Sequence, residues 1–152
     1  FGTCAGCILL ATRVTHPDQQ SLGALDATVE RNAYGRQIHS EILTAPTSLP
    51  GGPLEMVFIR APRIVEVGSD VQVLASRDGS PVLVRQKNIL AATFHPELSH
   101  ARPPSDQPES PPDWRVHRYF AQMVQDASPV DASKATDNHS ANSPQAAATS
   151  RP

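Results

Sequence analysis

The sequence predicts an α/β fold, a partial sheet with a small antiparallel section and helices packed on it. Three observations carry that reading. The chain opens on Gly2-Thr3-Cys4-Ala5-Gly6, a turn pattern of the kind that joins a strand to a helix. Short runs of β-branched and aromatic residues then recur between positions 22 and 94, separated by glycine, proline and aspartate turn signals. Further on, Val116, Tyr119, Phe120, Met123 and Val124 stand at helical spacing.

Taken in order, residues 5–12 are small and apolar, which favours a helix packed on a sheet until His16-Pro17-Asp18 breaks it. Residues 22–31 read as a strand or strand pair entering a polar loop at Asn32. A short strand is expected at residues 37–43, and residues 46–53, with Gly51-Gly52, are a loop by composition. Met56-Val57-Phe58-Ile59 is a compact apolar strand whose polar end, Arg60, should project from the sheet edge. Residues 64–67 and 71–75 continue as strands, Asp78-Gly79 signals a hairpin, and residues 82–86 return. Residues 88–94 make the next strand, apolar enough at Ile89, Leu90, Ala91 and Ala92 to be buried on both faces, and it delivers His95 at its end.

Residues 101–113 contain five prolines among serines and acids and are expected to form an exposed loop inserted in the domain. The helix over residues 114–126 then has Asp113 as an N-cap and should dock on the sheet. From position 127 onward Ser, Ala, Asn, Thr, Gln and Pro dominate, and so few large apolar side chains cannot offset the entropy of ordering. The expected organisation is therefore one domain over residues 1–126 and a disordered tail over residues 127–152.

Composition narrows the function classes. A chain of 152 residues holds one domain, which at this size buries roughly 70% of its unfolded surface. Its 15 prolines are about twice ordinary usage, so part of it should be unpacked. A formal net charge of -2 offers no broad basic surface, which argues against nucleic-acid and anionic-membrane partners. The apolar run at residues 7–11 is short and follows no basic region, unlike a signal peptide. No run approaches the roughly 20 apolar residues of a membrane span. Two cysteines three residues apart, Cys4 and Cys7, suggest a redox pair or half of a zinc site, but no second pair follows and only Phe1, Gly2 and Thr3 precede them. Free thiols in a reducing cytoplasm fit better.

The opening pattern has the Gly-x-nucleophile-x-Gly form, in which a sharp turn holds a reactive atom exposed. Side chains in place of Gly2 and Gly6 would collide in so tight a turn. A helix starting after Cys4 would favour its thiolate, and the backbone N–H of Ala5 could hold an oxyanion. His95-Pro96-Glu97 supplies the base and the acceptor that orients it, because a turn at Pro96 can bring the Glu97 carboxylate back to the His95 ring. Singly, His95 reads as a strand-end histidine and Glu97 as a solvated acid. With Cys4 they read as a triad. Cys7, on the helix behind the turn, is assigned to packing.

Phe1-Gly2-Thr3-Cys4-Ala5-Gly6, Leu22-Gly23, Val29-Glu30-Arg31-Asn32, Tyr34-Gly35-Arg36-Gln37, Val57-Phe58-Ile59-Arg60-Ala61-Pro62 and Phe94-His95-Pro96-Glu97-Leu98 occur in that order. Together they resemble the glutaminase subunit of pyridoxal 5′-phosphate synthase, a class I glutamine amidotransferase. The resemblance implies a flavodoxin-like α/β sheet and hydrolysis of L-glutamine through a Cys-His-Glu triad, here Cys4, His95 and Glu97. It further implies glutamine binding by Arg31 and the Ile59-Arg60 pair, ammonia transfer to the synthase subunit, and no metal or cofactor. Glu30 and Arg36 are left as structural or interface residues.

The strands that precede the elbow in that family, with the Gly-Gly loop that completes its oxyanion hole, have no counterpart here, so the chain reads as N-terminally truncated. Gly51-Gly52 is not that loop, since it follows the elbow. The segment Gln37-Ile38-His39-Ser40-Glu41 reads as one residue shorter than in the family. Two rival expectations are an amidotransferase serving another synthase and a non-catalytic remnant acting as an interaction module.

Overall fold

The computed structural model describes residues 1–33, 40–99 and 113–127. After β1 (Gly2–Thr3) the chain turns at Cys4 into α1 (Ala5–Leu10) and continues directly into β2 (Ala11–Thr15) and β3 (Leu25–Glu30). The strands β4 (Ser40–Ala45), β5 (Leu54–Ile59), β6 (Arg63–Val67), β7 (Gln72–Arg77), β8 (Ser80–Gln86) and β9 (Ile89–Ala92) follow. A 3-10 turn (Pro96–Leu98) and α2 (Arg115–Ala127) complete the described chain.

The central sheet has the order β1-β9-β8-β7. Its β1 pairs in parallel with β9, Gly2 opposite Ala91 and Thr3 opposite Ala92. The β9-β8-β7 section is antiparallel. A second sheet, β2-β3-β6, and the hairpin β4-β5 flank it. This is the mixed α/β fold with a small antiparallel section that the sequence predicts.

Alternation along β9 divides the core in two. Leu90 and Ala92 pack with Met56, Phe58, Phe94, and Val116 and Met123 of α2. Ala91 packs on the opposite face with Cys7 and Ile8 of α1, Val29, Ile64 and Val84. Leu90, Ala91 and Ala92 are fully buried, so the expected burial on both faces holds for them, whereas Ile89 at the start of the strand is only partly buried. Helix α2 starts at Arg115, with Arg118 N–H on Trp114 O at 2.8 Å, so the N-cap position falls on Trp114, one residue after the expected Asp113, whose Oδ1 instead accepts the Arg115 backbone N–H at 3.1 Å. Asp78 and Gly79 both have positive φ, 48° and 78°, which suits a two-residue hairpin turn with the right-handed twist of β7 and β8.

Several strand ends differ from the expectation by one to three residues, and three differences bear on the region around Cys4 and His95. Helix α1 ends at Leu10, not Thr12, because Ala11–Thr15 pairs in parallel with β3 and Thr12 donates its hydroxyl to Leu25 O at 2.8 Å. Residues 22–31 form one strand, Leu25–Glu30. Strand β9 stops at Ala92, after which Thr93 N–H still bonds Val82 O at 2.9 Å and the chain turns toward His95. Tyr34, Gly35 and Arg36, the predicted strand's residues 37–39, nearly all of the proline-rich loop and the tail beyond Ala127 lie outside the described residues. Among the described residues no helix is long and apolar enough to cross a membrane.

Candidate active site

Three strand ends meet at Cys4. The residue sits between β1 and α1 with φ 47° and ψ -103°, a left-handed backbone that costs a non-glycine residue about 1–3 kcal/mol unless its surroundings enforce it. They do so here: Cys4 N–H donates to Ala92 O at 2.9 Å, and Cys4 O accepts the N–H groups of Cys7 at 3.1 Å and Ile8 at 3.3 Å. Gly2 is sterically required, since a Cβ there would lie 2.7 Å from the Gly6 backbone and from Leu10 Cδ1. Gly6 is not. A Cβ at that position meets nothing within 4 Å, so the expected collision applies to only one of the two glycines.

The second strand end carries His95. Its N–H is fixed on Val57 O at 2.8 Å, and its carbonyl accepts the Leu98 N–H at 3.1 Å, closing the short turn that Pro96 opens. That turn returns Glu97 to the ring, with Oε1 2.8 Å from His95 Nδ1. The expected contact between the two side chains is therefore made, and it leaves Nε2 as the ring nitrogen that Glu97 does not engage.

The third is the end of β5. The Cys4 thiol points at Ile59 O, 3.9 Å away, and the exposed Arg60 that follows adopts φ 46°. Burial pushes the Cys4 thiol above its ordinary value of 9.0, and the Glu97 carboxylate adds to that, while the Ala5 N–H at the sulfur and the Arg60 guanidinium act in the opposite sense. The thiolate bias expected from a helix start is thus outweighed. Helix α1 has only six residues, and desolvation is the larger effect.

Cys4, Ala5, Ile59, Arg60, His95 and Glu97 are in this way linked by contacts or by charge. Arg31 is not. It is exposed at the end of β3, with its guanidinium on Gln19 Oε1 at 2.7 Å and its N–H on Thr15 O at 2.9 Å. Glu30 pairs with Arg63 and His16, in keeping with a structural role. Cys7 is fully buried in the core and its thiol is pushed up to about 12, chiefly by burial, in keeping with packing. Sequence reasoning missed the backbone carbonyls of Ala92 and Val57, which hold Cys4 and His95. Carbonyls carry no residue signature, and only the strand register could have revealed them.

Residues 1–126 match the model of the SNO glutamine amidotransferase family. A pyridoxal 5′-phosphate synthase subunit PdxT from Koribacter versatilis (strain Ellin345) is 60% identical over 124 residues, covering 82% of this chain and 58% of that protein. The subunit of the same name from Thermotoga maritima is 51% identical over 125 residues, covering 82% and 60%. A solved structure described as a crystal structure of glutamine amidotransferase superposes with a TM-score of 0.66 at 44% identity, covering 82% of this chain and 59% of the other. The chain spans about three fifths of the length of the relatives it matches.

Proposed function

The chain belongs to the SNO glutamine amidotransferase family, and from that membership we propose that it hydrolyses L-glutamine to glutamate and ammonia for pyridoxal 5′-phosphate synthesis. The observation that carries the reading is the His95 Nδ1 to Glu97 Oε1 contact of 2.8 Å beside a cysteine held at positive φ on a strand-to-helix turn. In the proposed reaction Cys4 gives its proton to His95 and attacks the side-chain amide carbon. The Ala5 N–H holds the developing oxyanion. His95 then protonates the departing ammonia, leaving a glutamyl thioester that water opens with His95 as base. Glu97 keeps His95 in the tautomer that presents Nε2.

Arg60 and the Ile59 backbone are proposed to bind glutamine, with Arg31 contributing from the end of β3. A guanidinium matches a carboxylate with two N–H donors. The relatives named PdxT support a synthase subunit as the acceptor of the ammonia. This chemistry calls for no metal or cofactor. The test is ammonia release from glutamine by the chain, alone and with the synthase subunit, against Cys4→Ala. Release that depends on Cys4 is expected; equal release by the Cys4→Ala variant would sink the proposal.

A further inference from the structure

The glutaminase reading uses Cys4 and leaves Cys7 unexplained except as packing. We infer that the two form a reversible intramolecular disulfide, which makes the elbow a peroxide-responsive modification site. Cys7 N–H donates to Cys4 O at 3.1 Å, so the backbones of the two residues are joined across one helical turn. That geometry sets their Cα atoms about 5 Å apart, inside the roughly 4.4–6.8 Å that a disulfide spans. They are the only cysteines among the 152 residues, so no third thiol of the chain competes.

Their surroundings divide the labour. Cys4 is partly open to solvent and meets an oxidant first, whereas Cys7 is fully buried with Ile8, Val29 and Val84 and is shielded from direct attack. The charge of Cys4 is felt at Cys7, which places the two sulfurs in one electrostatic neighbourhood.

The chemistry balances with a peroxide as the two-electron oxidant. The Cys4 thiolate attacks one peroxide oxygen, the O–O bond breaks, and Cys4 becomes a sulfenic acid as hydroxide departs. The Cys7 sulfur then attacks the Cys4 sulfur, the S–S bond forms, the S–O bond breaks, and the hydroxyl leaves with the Cys7 proton as water. One peroxide is reduced and two thiols are oxidised. Disulfide formation rests on no part of the glutaminase reading. Its consequence does: if Cys4 is the nucleophile, the disulfide silences it reversibly, where a solitary cysteine would proceed to sulfinic acid.

The test treats the folded chain, with its circular dichroism unchanged, with equimolar hydrogen peroxide, then blocks free thiols with iodoacetamide in denaturant and weighs the intact protein. The expected product is a monomer lighter by two hydrogens, carrying no alkyl group, with both thiols restored by dithiothreitol. Cys7→Ala, which keeps a small apolar side chain in the core, should give a Cys4 sulfenic acid trapped by dimedone. With excess peroxide that variant should gain two oxygens that dithiothreitol does not remove. Three results would overturn the inference: a wild-type chain in which Cys7 is still alkylated while Cys4 carries added oxygen, one in which both thiols stay free, or one whose disulfide joins two chains. Because the readout is mass and thiol count, it stands or falls separately from glutaminase activity.

Discussion

Substituting alanine at the two glycines of the elbow should have opposite effects. At Gly2 the new methyl would lie 2.7 Å from the carbonyl carbon and oxygen of Gly6 and from Leu10 Cδ1. Leu10 can turn aside, but the Gly6 backbone belongs to α1 and cannot retreat without moving the turn that sets Cys4 at φ 47°. Forcing one extra carbon into a packed site costs about 1–3 kcal/mol, and the upper half of that range applies where backbone must shift. At Gly6 the same methyl meets nothing within 4 Å, and replacing glycine by alanine inside a helix contributes roughly 0.5–1 kcal/mol of stability. Urea unfolding of the three chains, followed by circular dichroism, should therefore lower the midpoint for Gly2→Ala and raise it for Gly6→Ala. Equal losses at both positions would show that the pattern acts through something other than the steric contact at Gly2.

Other outcomes follow from the same geometry. Cys7 titrates near 9.0 in the unfolded chain but near 12 when buried, so above pH 9 the unfolded state alone releases the proton and stability falls by about 1.4 kcal/mol per pH unit toward pH 12. Cys7→Ala should flatten that alkaline slope in urea midpoints measured from pH 8 to pH 11. Arg115 donates to the carbonyls of Gly52 at 2.8 Å and Pro53 at 2.6 Å while its Nε holds Asp113, fastening the residue 50–53 loop to α2; Arg115→Ala should cost about 1.5–3 kcal/mol by thermal unfolding, and Arg115→Lys should recover only part of it. Alkylation of Cys4 by iodoacetamide should show an apparent pKa above 9.0, lowered by Glu97→Gln and raised by Arg60→Gln; shifts in the reverse directions would refute the charge arrangement described for the site.

What the sequence disclosed and what it hid divide along the range of the interactions. The His95-Pro96-Glu97 turn was legible because a proline and two residues close it locally, and the Asp78-Gly79 hairpin because both positions demand positive φ. Ala11 and Thr12 misled because they continue the run of small and apolar residues that begins at Ala5, in a segment that instead pairs with β3. The thiol direction at Cys4 was hidden for another reason. A short helix and an adjacent amide could be read from the pattern, but the burial of the sulfur and the approach of Glu97 depend on how β5, β9 and β1 are registered. Arg31 shows the same limit, since only the family resemblance grouped it with the other site residues and its contacts lie with Gln19 and Thr15.

That register also explains how so small a set of contacts can hold a strained residue. Cys4 N–H is bonded to Ala92 O, the last residue of β9, and three residues beyond it His95 N–H is bonded to Val57 O of β5. Two residues beyond Val57, Ile59 O faces the Cys4 sulfur. The path from Cys4 through β9 to His95, across to β5 and back to the sulfur is therefore a closed ring of two backbone hydrogen bonds and one thiol-to-carbonyl contact. Ala92 and Phe58 on that path, with their strand neighbours Leu90 and Met56, are buried in the same core cluster. A shift in any one strand would break two of the ring's contacts at once and expose apolar side chains as well, so core packing resists the relaxation that Cys4 would otherwise gain. The resting thiol follows from the same closure. A ring tight enough to hold φ 47° also excludes enough water to push the sulfur's proton affinity up, which makes proton transfer to His95 a required step of the proposed reaction and not an accessory to it.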